Sequence, residues 1–126
     1  MKHLIAITIL VTASLFATAS MAGYPMISGI PNQKVSIGQS TGPISFRLSD
    51  DVTPPSDLAV SARSNNRSLV PNSNIDLGGS GANRTVEVTP VDGKWGLATI
   101  AVTVVDTDGE RNQDTFNVEV VKTIRP

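Results

Sequence analysis

The stretch Ala98-Thr99-Ile100-Ala101-Val102-Thr103-Val104-Val105, ending in Asp106-Thr107-Asp108-Gly109, decides the fold class. Ala98, Ile100, Val102 and Val104 fall on one side of an extended chain, and Thr99, Ala101 and Thr103 on the other. A period of two marks a strand with one buried face and one wetter face. Val, Ile and Thr, stiff at the first side-chain torsion, also favour strand over helix. Asp-Thr-Asp-Gly then turns the chain, because Asp bonds its own backbone and Gly accepts a positive φ. Phe116, Val118 and Val120 resume the alternation against Asn117 and Glu119, so the two runs predict a hairpin.

Outward from this hairpin the same pattern recurs. Ile44-Ser45-Phe46-Arg47-Leu48-Ser49 alternates and is broken by Asp50-Asp51-Val52-Thr53-Pro54-Pro55. Leu58, Val60 and Ala62 continue the pattern across Ser61 and Arg63. Val86 and Val88 do so between Gly78-Gly79-Ser80-Gly81-Ala82-Asn83 and Val91-Asp92-Gly93-Lys94. Val35 and Ile37 open the series, and Ile75 and Leu77 form a short piece in the middle. About seven short strands with turn chemistry between them, and no helical periodicity, predict an all-β antiparallel sandwich. The segments 26–37 and 69–77, short and interrupted by Pro or Gly, are the expected edges.

Residues 1–22 read as an export address, a cleaved signal peptide. Lys2 supplies a positive start, Leu4 to Phe16 form an apolar run, and Ser20-Met21-Ala22 fits cleavage before Gly23. Ala17-Thr18-Ala19 offers an alternative cut. The run falls short of the ~20 residues a membrane span needs. Cleavage leaves residues 23–126 as a single domain, exported to the periplasm or the cell surface and outside, with no membrane insertion thereafter. The style of this leader points to a bacterium.

Composition narrows the chemistry. The 126 residues contain no cysteine and one histidine, His3, which leaves with the leader. Thiol nucleophiles, disulfides and thiolate metal sites are thereby excluded, and no serine has a base to take its proton. The sequence therefore predicts a protein that is not an enzyme and needs no cofactor. Ten basic against eleven acidic groups give no basic surplus, so nucleic acid is not an expected partner. Arg63, Arg67 and Arg84 are expected on outward strand faces.

Three blocks in order carry a family resemblance. Pro25-Met26-Ile27-Ser28-Gly29-Ile30 opens the domain. Ser64 to Ile75 and Leu77 to Pro90 form its middle, and Gly96 to Gly109 its most regular part. Together they resemble the bacterial Ig-like, cadherin-like repeat of large extracellular and surface proteins, from about residue 25 to 121. The resemblance implies an Ig-like (cadherin-like) antiparallel β-sandwich. It also implies surface contact in adhesion, extracellular matrix or envelope structure, with a protein or cell-surface and matrix partner. Such repeats occur in tandem, whereas one copy here follows its own leader. Action alone, as a homo-oligomer, or as a subunit docked on something else are all compatible with that arrangement. The rivals are a secreted or periplasmic accessory module that binds calcium or carbohydrate, and a fragment of a larger repeat protein.

Cadherin-type modules hold calcium at domain ends with clustered carboxylates, so the resemblance makes Asp50, Asp51, Asp106 and Asp108 the calcium candidates, with Glu110 beside them. Asp-x-Asp-Gly is equally an ordinary solvated turn, which is the plainer reading. Trp95, the only tryptophan, has two readings: an exposed aromatic for ligand or partner contact, or a plug over one end of the core. The plug is the expectation. Trp95 and Leu97 stand where these repeats more often carry small polar residues.

Overall fold

Alternation places eight strands in the computed structural model, which describes residues 23–122; the proposed leader at 1–22 lies outside them. They are β1 (Met26–Ile27), β2 (Gln33–Ser36), β3 (Ile44–Ser49), β4 (Ala59–Ser64), β5 (Ile75–Ser80), β6 (Asn83–Val88), β7 (Gly96–Val105) and β8 (Arg111–Val121). One sheet has the order β1-β3-β6-β5 and the other β2-β8-β7-β4. In the β7–β8 hairpin Ile100 faces Phe116 and Ala98 faces Val118, which puts both apolar sets on one side. Phe46 and Leu48 of β3, with Val86 and Val88 of β6, meet them from the opposite sheet. The result is one Ig-like β-sandwich with a single core, mostly aliphatic around Phe46 and Phe116. Ile100, Val102, Val104 and Val118 are fully buried within it.

The first strand is divided, and that accounts for the eighth. Gly29-Ile30-Pro31 carries the chain from β1 on one sheet to β2 on the other. Asp114 and Asn112, on the inward side of β8, hold this crossing. Asp114 accepts a hydrogen bond from the Ile30 N–H at 2.8 Å, and the Asn112 side chain donates to the Pro25 carbonyl at 3.1 Å. Because β2 runs on in the direction of β1, it joins β8 as a parallel pair. The other strand pairs are antiparallel, as expected.

Two edge expectations change. Residues 69–74 are not strand: Leu69 and Val70 lie in a turn and are buried, closing one end of the core, before a short 3-10 turn at Asn72–Asn74. The chain keeps them inside because Val70 N–H and Leu69 N–H both bond the Asn66 carbonyl, curling the backbone inward. The second sheet instead ends on β4, which among the described residues pairs with β7 alone. Leu77 is 40% exposed, on β5, which is an edge as expected of the 69–77 segment. The β5–β6 turn also depends on Gly79, whose φ of +84° and close approach to the Asn83 carbonyl leave no room for a Cβ.

Replacing Ile100 by Ala removes fully buried volume from the centre of this core. We expect a loss of about 2–5 kcal/mol in a urea unfolding titration. Thr115→Ala, on the exposed side of the same hairpin, stays within ~0.5 kcal/mol.

Candidate functional site

β3 and β7 end, and β6 and β8 begin, at the same end of the sandwich. Strand direction thus gathers the 50–58 connection, the Gly81–Ala82 turn and the 106–110 turn. The predicted acidic residues meet there, but each is first a builder of its own loop. Asp50 Oδ2 accepts from the N–H groups of Val52 and Thr53, at 3.1 and 2.7 Å. Asp106, 6% exposed, accepts from the N–H groups of Asp108 and Glu110 through Oδ1, both at 2.9 Å. Its backbone completes the turn, with Gly109 N–H bonded to the Asp106 carbonyl and Asp106 N–H to the Glu110 carbonyl. Asp-x-Asp-Gly is therefore turn chemistry in this fold.

The two loops are tied across the sheets. Thr53, 2% exposed, brings its hydroxyl within 3.1 Å of the Thr107 hydroxyl. Asp51 and Asp108 stand apart from this pair: Asp51 accepts from Gly23 N–H at 3.2 Å, and Asp108 is exposed on the turn. Among the described residues, no three acidic or histidine side chains converge closely enough to hold a metal ion. Two oxygens nevertheless stand out. Asp50 Oδ1 and Asp106 Oδ2 are enclosed and have no hydrogen-bond partner. A buried acceptor left without a partner costs about 1–3 kcal/mol, so each such atom calls for water or a cation.

Arg84 is the residue that sequence reasoning misplaced. Expected on an outward face, it lies on the inward side of β6 with Val86 and Val88. Its guanidinium donates to the carbonyls of Gly81, Pro55 and Leu58, at 2.7, 2.9 and 3.1 Å. Strand parity alone was the available signal: counting back by two from Val88 reaches Arg84. Arg63 is exposed on β4, as expected.

The opposite end holds Trp95. It is no plug: the ring is 55% exposed, as is Leu97, because Leu69 and Val70 already fill the core beneath. The Lys122 ammonium lies 4.5 Å from the ring centroid, a cation–π contact that steadies the indole. Trp95, Gly96 and Leu97 at the start of β7, with Glu119 to Val121 of β8 and Lys122 just after it, line an open, mainly apolar depression.

No family model and no curated protein matches the sequence. Solved Ig-type structures do match the fold. The N-terminal Ig1-2 module of the Drosophila receptor protein tyrosine phosphatase DLAR aligns over 81% of this chain and 51% of its own, at 15% identity and a TM-score of 0.59. Domains 4 and 5 of the S-layer protein SbsC align over 77% and 53%, at 21% identity and 0.55. Dpr1 IG1, solved bound to DIP-eta IG1, aligns over 77% and 95%, at 13% identity and 0.53. The chain thus spans about half of the first two and nearly all of the third. At these identities the likeness establishes an Ig-like fold and no more.

Asp106→Ala strips two N–H groups of their acceptor in a buried turn. The expected loss is about 1–3 kcal/mol by thermal or urea unfolding, whereas Asp106→Asn keeps an acceptor and loses less.

Proposed function

We propose that the chain is an exported, non-catalytic Ig-like module that works by surface contact, in adhesion, extracellular matrix or envelope structure. The observation that carries this reading is the placement of Trp95 and Leu97. Both are 55% exposed, side by side at the start of β7, over an end of the core already closed by other residues. Neither position is required for packing there, and Trp is among the residues that dominate contact energies. The leader supports export. No helix of the described residues is long and apolar enough to cross a membrane. The S-layer protein and the Dpr1 pairing show Ig-type folds in a surface layer and in a protein–protein complex. Export, location and the bacterial, cadherin-like assignment belong to this proposal, as does a protein, cell-surface or matrix partner.

The test is binding of the processed protein to whole cells and matrix, with oligomeric state read by chromatography and light scattering. Contact that weakens about 30-fold in Trp95→Ala, or by ~2 kcal/mol, is the expected result. A stable monomer that binds neither surface overturns the reading.

A second reading, a calcium-binding accessory module, is favoured by one observation: the enclosed, unpartnered oxygens of Asp50 and Asp106 at one end. Calcium takes six to eight oxygen ligands, so backbone carbonyls and water would complete the set, with Asp51 and Asp108 reoriented to reach it. Calorimetric titration with calcium chloride tests it. Heat and a raised melting temperature, both lost in Asp50→Asn and Asp106→Asn, support it. No heat and no melting shift at ~1 mM calcium retire it.

A further inference from the structure

The free edge of β4 has a defined binding window. In an antiparallel ladder, alternate residues turn both backbone groups to the partner strand and the residues between turn theirs away. Asn65 N–H bonds the Thr99 carbonyl of β7. By that parity Arg63, Ser61 and Ala59 also face β7, and Ser64, Ala62, Val60 and Leu58 face outward. Two contacts bear this out independently. Ser64 N–H bonds the Asn72 side-chain carbonyl at 2.9 Å, and the Leu58 carbonyl accepts from Arg84 at 3.1 Å. The edge is therefore closed at both ends by side chains. Between them the N–H and C=O groups of Val60 and Ala62 face outward, and among the described residues no strand pairs with them on that side.

A groove of about 820 Å³ opens from this window across the outer face of the sheet. It runs from Ala62 and Arg63 over Thr103 on β7 to Arg111 and Gln113 on β8. Its lining contains two guanidinium groups and no carboxylate, on a chain with more acidic than basic residues. Arg63 and Arg111 are both exposed, and neither is used by the fold as Arg84 is. Guanidinium pairs with carboxylate in a two-pronged geometry that rewards an acidic partner specifically.

We propose that β4 is a strand-addition site for an extended, acidic segment of another protein. The segment's backbone bonds Val60 and Ala62, and its alternate carboxylates lie over the groove toward Arg63 and Arg111. Main-chain bonds supply affinity in this mode, and side chains at alternate positions supply selectivity. The assignment rests on the reading of the chain as a contact module and adds to it a second surface, apart from Trp95, with one partner chemistry.

The probe is a short synthetic peptide of alternating Glu and Val, titrated into the processed, ¹⁵N-labelled protein, beside a Lys–Val peptide of equal length. The expected result is shifts centred on the Val60 and Ala62 amides, with their hydrogen exchange slowed. Binding of the Glu–Val peptide should be about tenfold or more tighter than that of Lys–Val and weaken with salt. It should be lost on methylating the peptide's central amides. Arg63→Glu with Arg111→Glu, both at exposed positions, should reverse the preference in a protein of unchanged melting temperature. Equal binding of the two peptides, strongest shifts at β2, β5 or the end loops, self-association through β4, or no shift at all would each overturn the assignment. The double variant also separates the two readings. If it is folded and still prefers the Glu–Val peptide as the parent does, the β4 assignment fails, while contact with cells or matrix that depends on Trp95 leaves the contact-module reading standing. If the parent contacts neither surface while Val60 and Ala62 still respond to the Glu–Val peptide, the module reading fails and the edge assignment is supported.

Discussion

The register of the β7–β8 hairpin is the constraint on which the rest of the sandwich depends. Side-chain direction has a period of two, so a slip of one residue would turn Ile100, Val102 and Val104 out and Thr99 and Thr103 in. The Asp106 turn fixes that register, with one carboxylate oxygen accepting two N–H groups. Once β7 and β8 are locked, their inner faces form the floor that Phe46, Leu48, Val86 and Val88 cover. Asp114 and Asn112, further along the same inner face, then determine where the first strand crosses between sheets. With no disulfide available, this geometry and the apolar core hold the domain together.

The two ends of the sandwich differ in kind. At the acidic end, polar groups face inward: Asp50 and Asp106 order their own loops, Arg84 ties three carbonyls, and Thr53 meets Thr107. These bonds freeze three loops relative to one another. At the other end the polarity is reversed. Leu69 and Val70 seal the core, and Trp95 and Leu97 are left over on the outside. An exposed indole steadied by one ammonium is already ordered and loses little rotamer freedom on contact.

What was legible in the sequence followed from periodicity. The alternation of Ala98 to Val104 and of Ile44 to Leu48 survives intact as inward-facing sets, and the Asp and Gly clusters fall in turns. What periodicity cannot show is which residues a neighbouring element covers. Trp95 looked like a plug because nothing local reveals that Leu69 and Val70, from a different connection, already occupy that space. Arg84 looked like a surface charge because its three acceptors come from two separate segments. The split of the first strand was hidden for the same reason: Met26 of β1 pairs with Ser49, 23 residues on, and Val35 of β2 with Val120, 85 residues on.

Edges deserve the same reasoning, since an open sandwich exposes four of them and each invites unwanted pairing. β1 is only two residues long, which is too short to template a strand. β2 is four residues long, follows Pro31 and carries an exposed Lys34, which suits it poorly for pairing with another apolar strand. β5 carries Gly78 and Gly79, which weaken strand character at its end. β4 is protected differently. It is six residues long and free of Gly and Pro, and its two ends are occupied by Asn72 and Arg84. Blocking the ends while leaving Val60 and Ala62 open stops a long strand from zipping along the edge. It still admits a short one. With Arg63 beside that opening, the arrangement selects by length and by charge together, whereas the other three edges are defended by being poor strands.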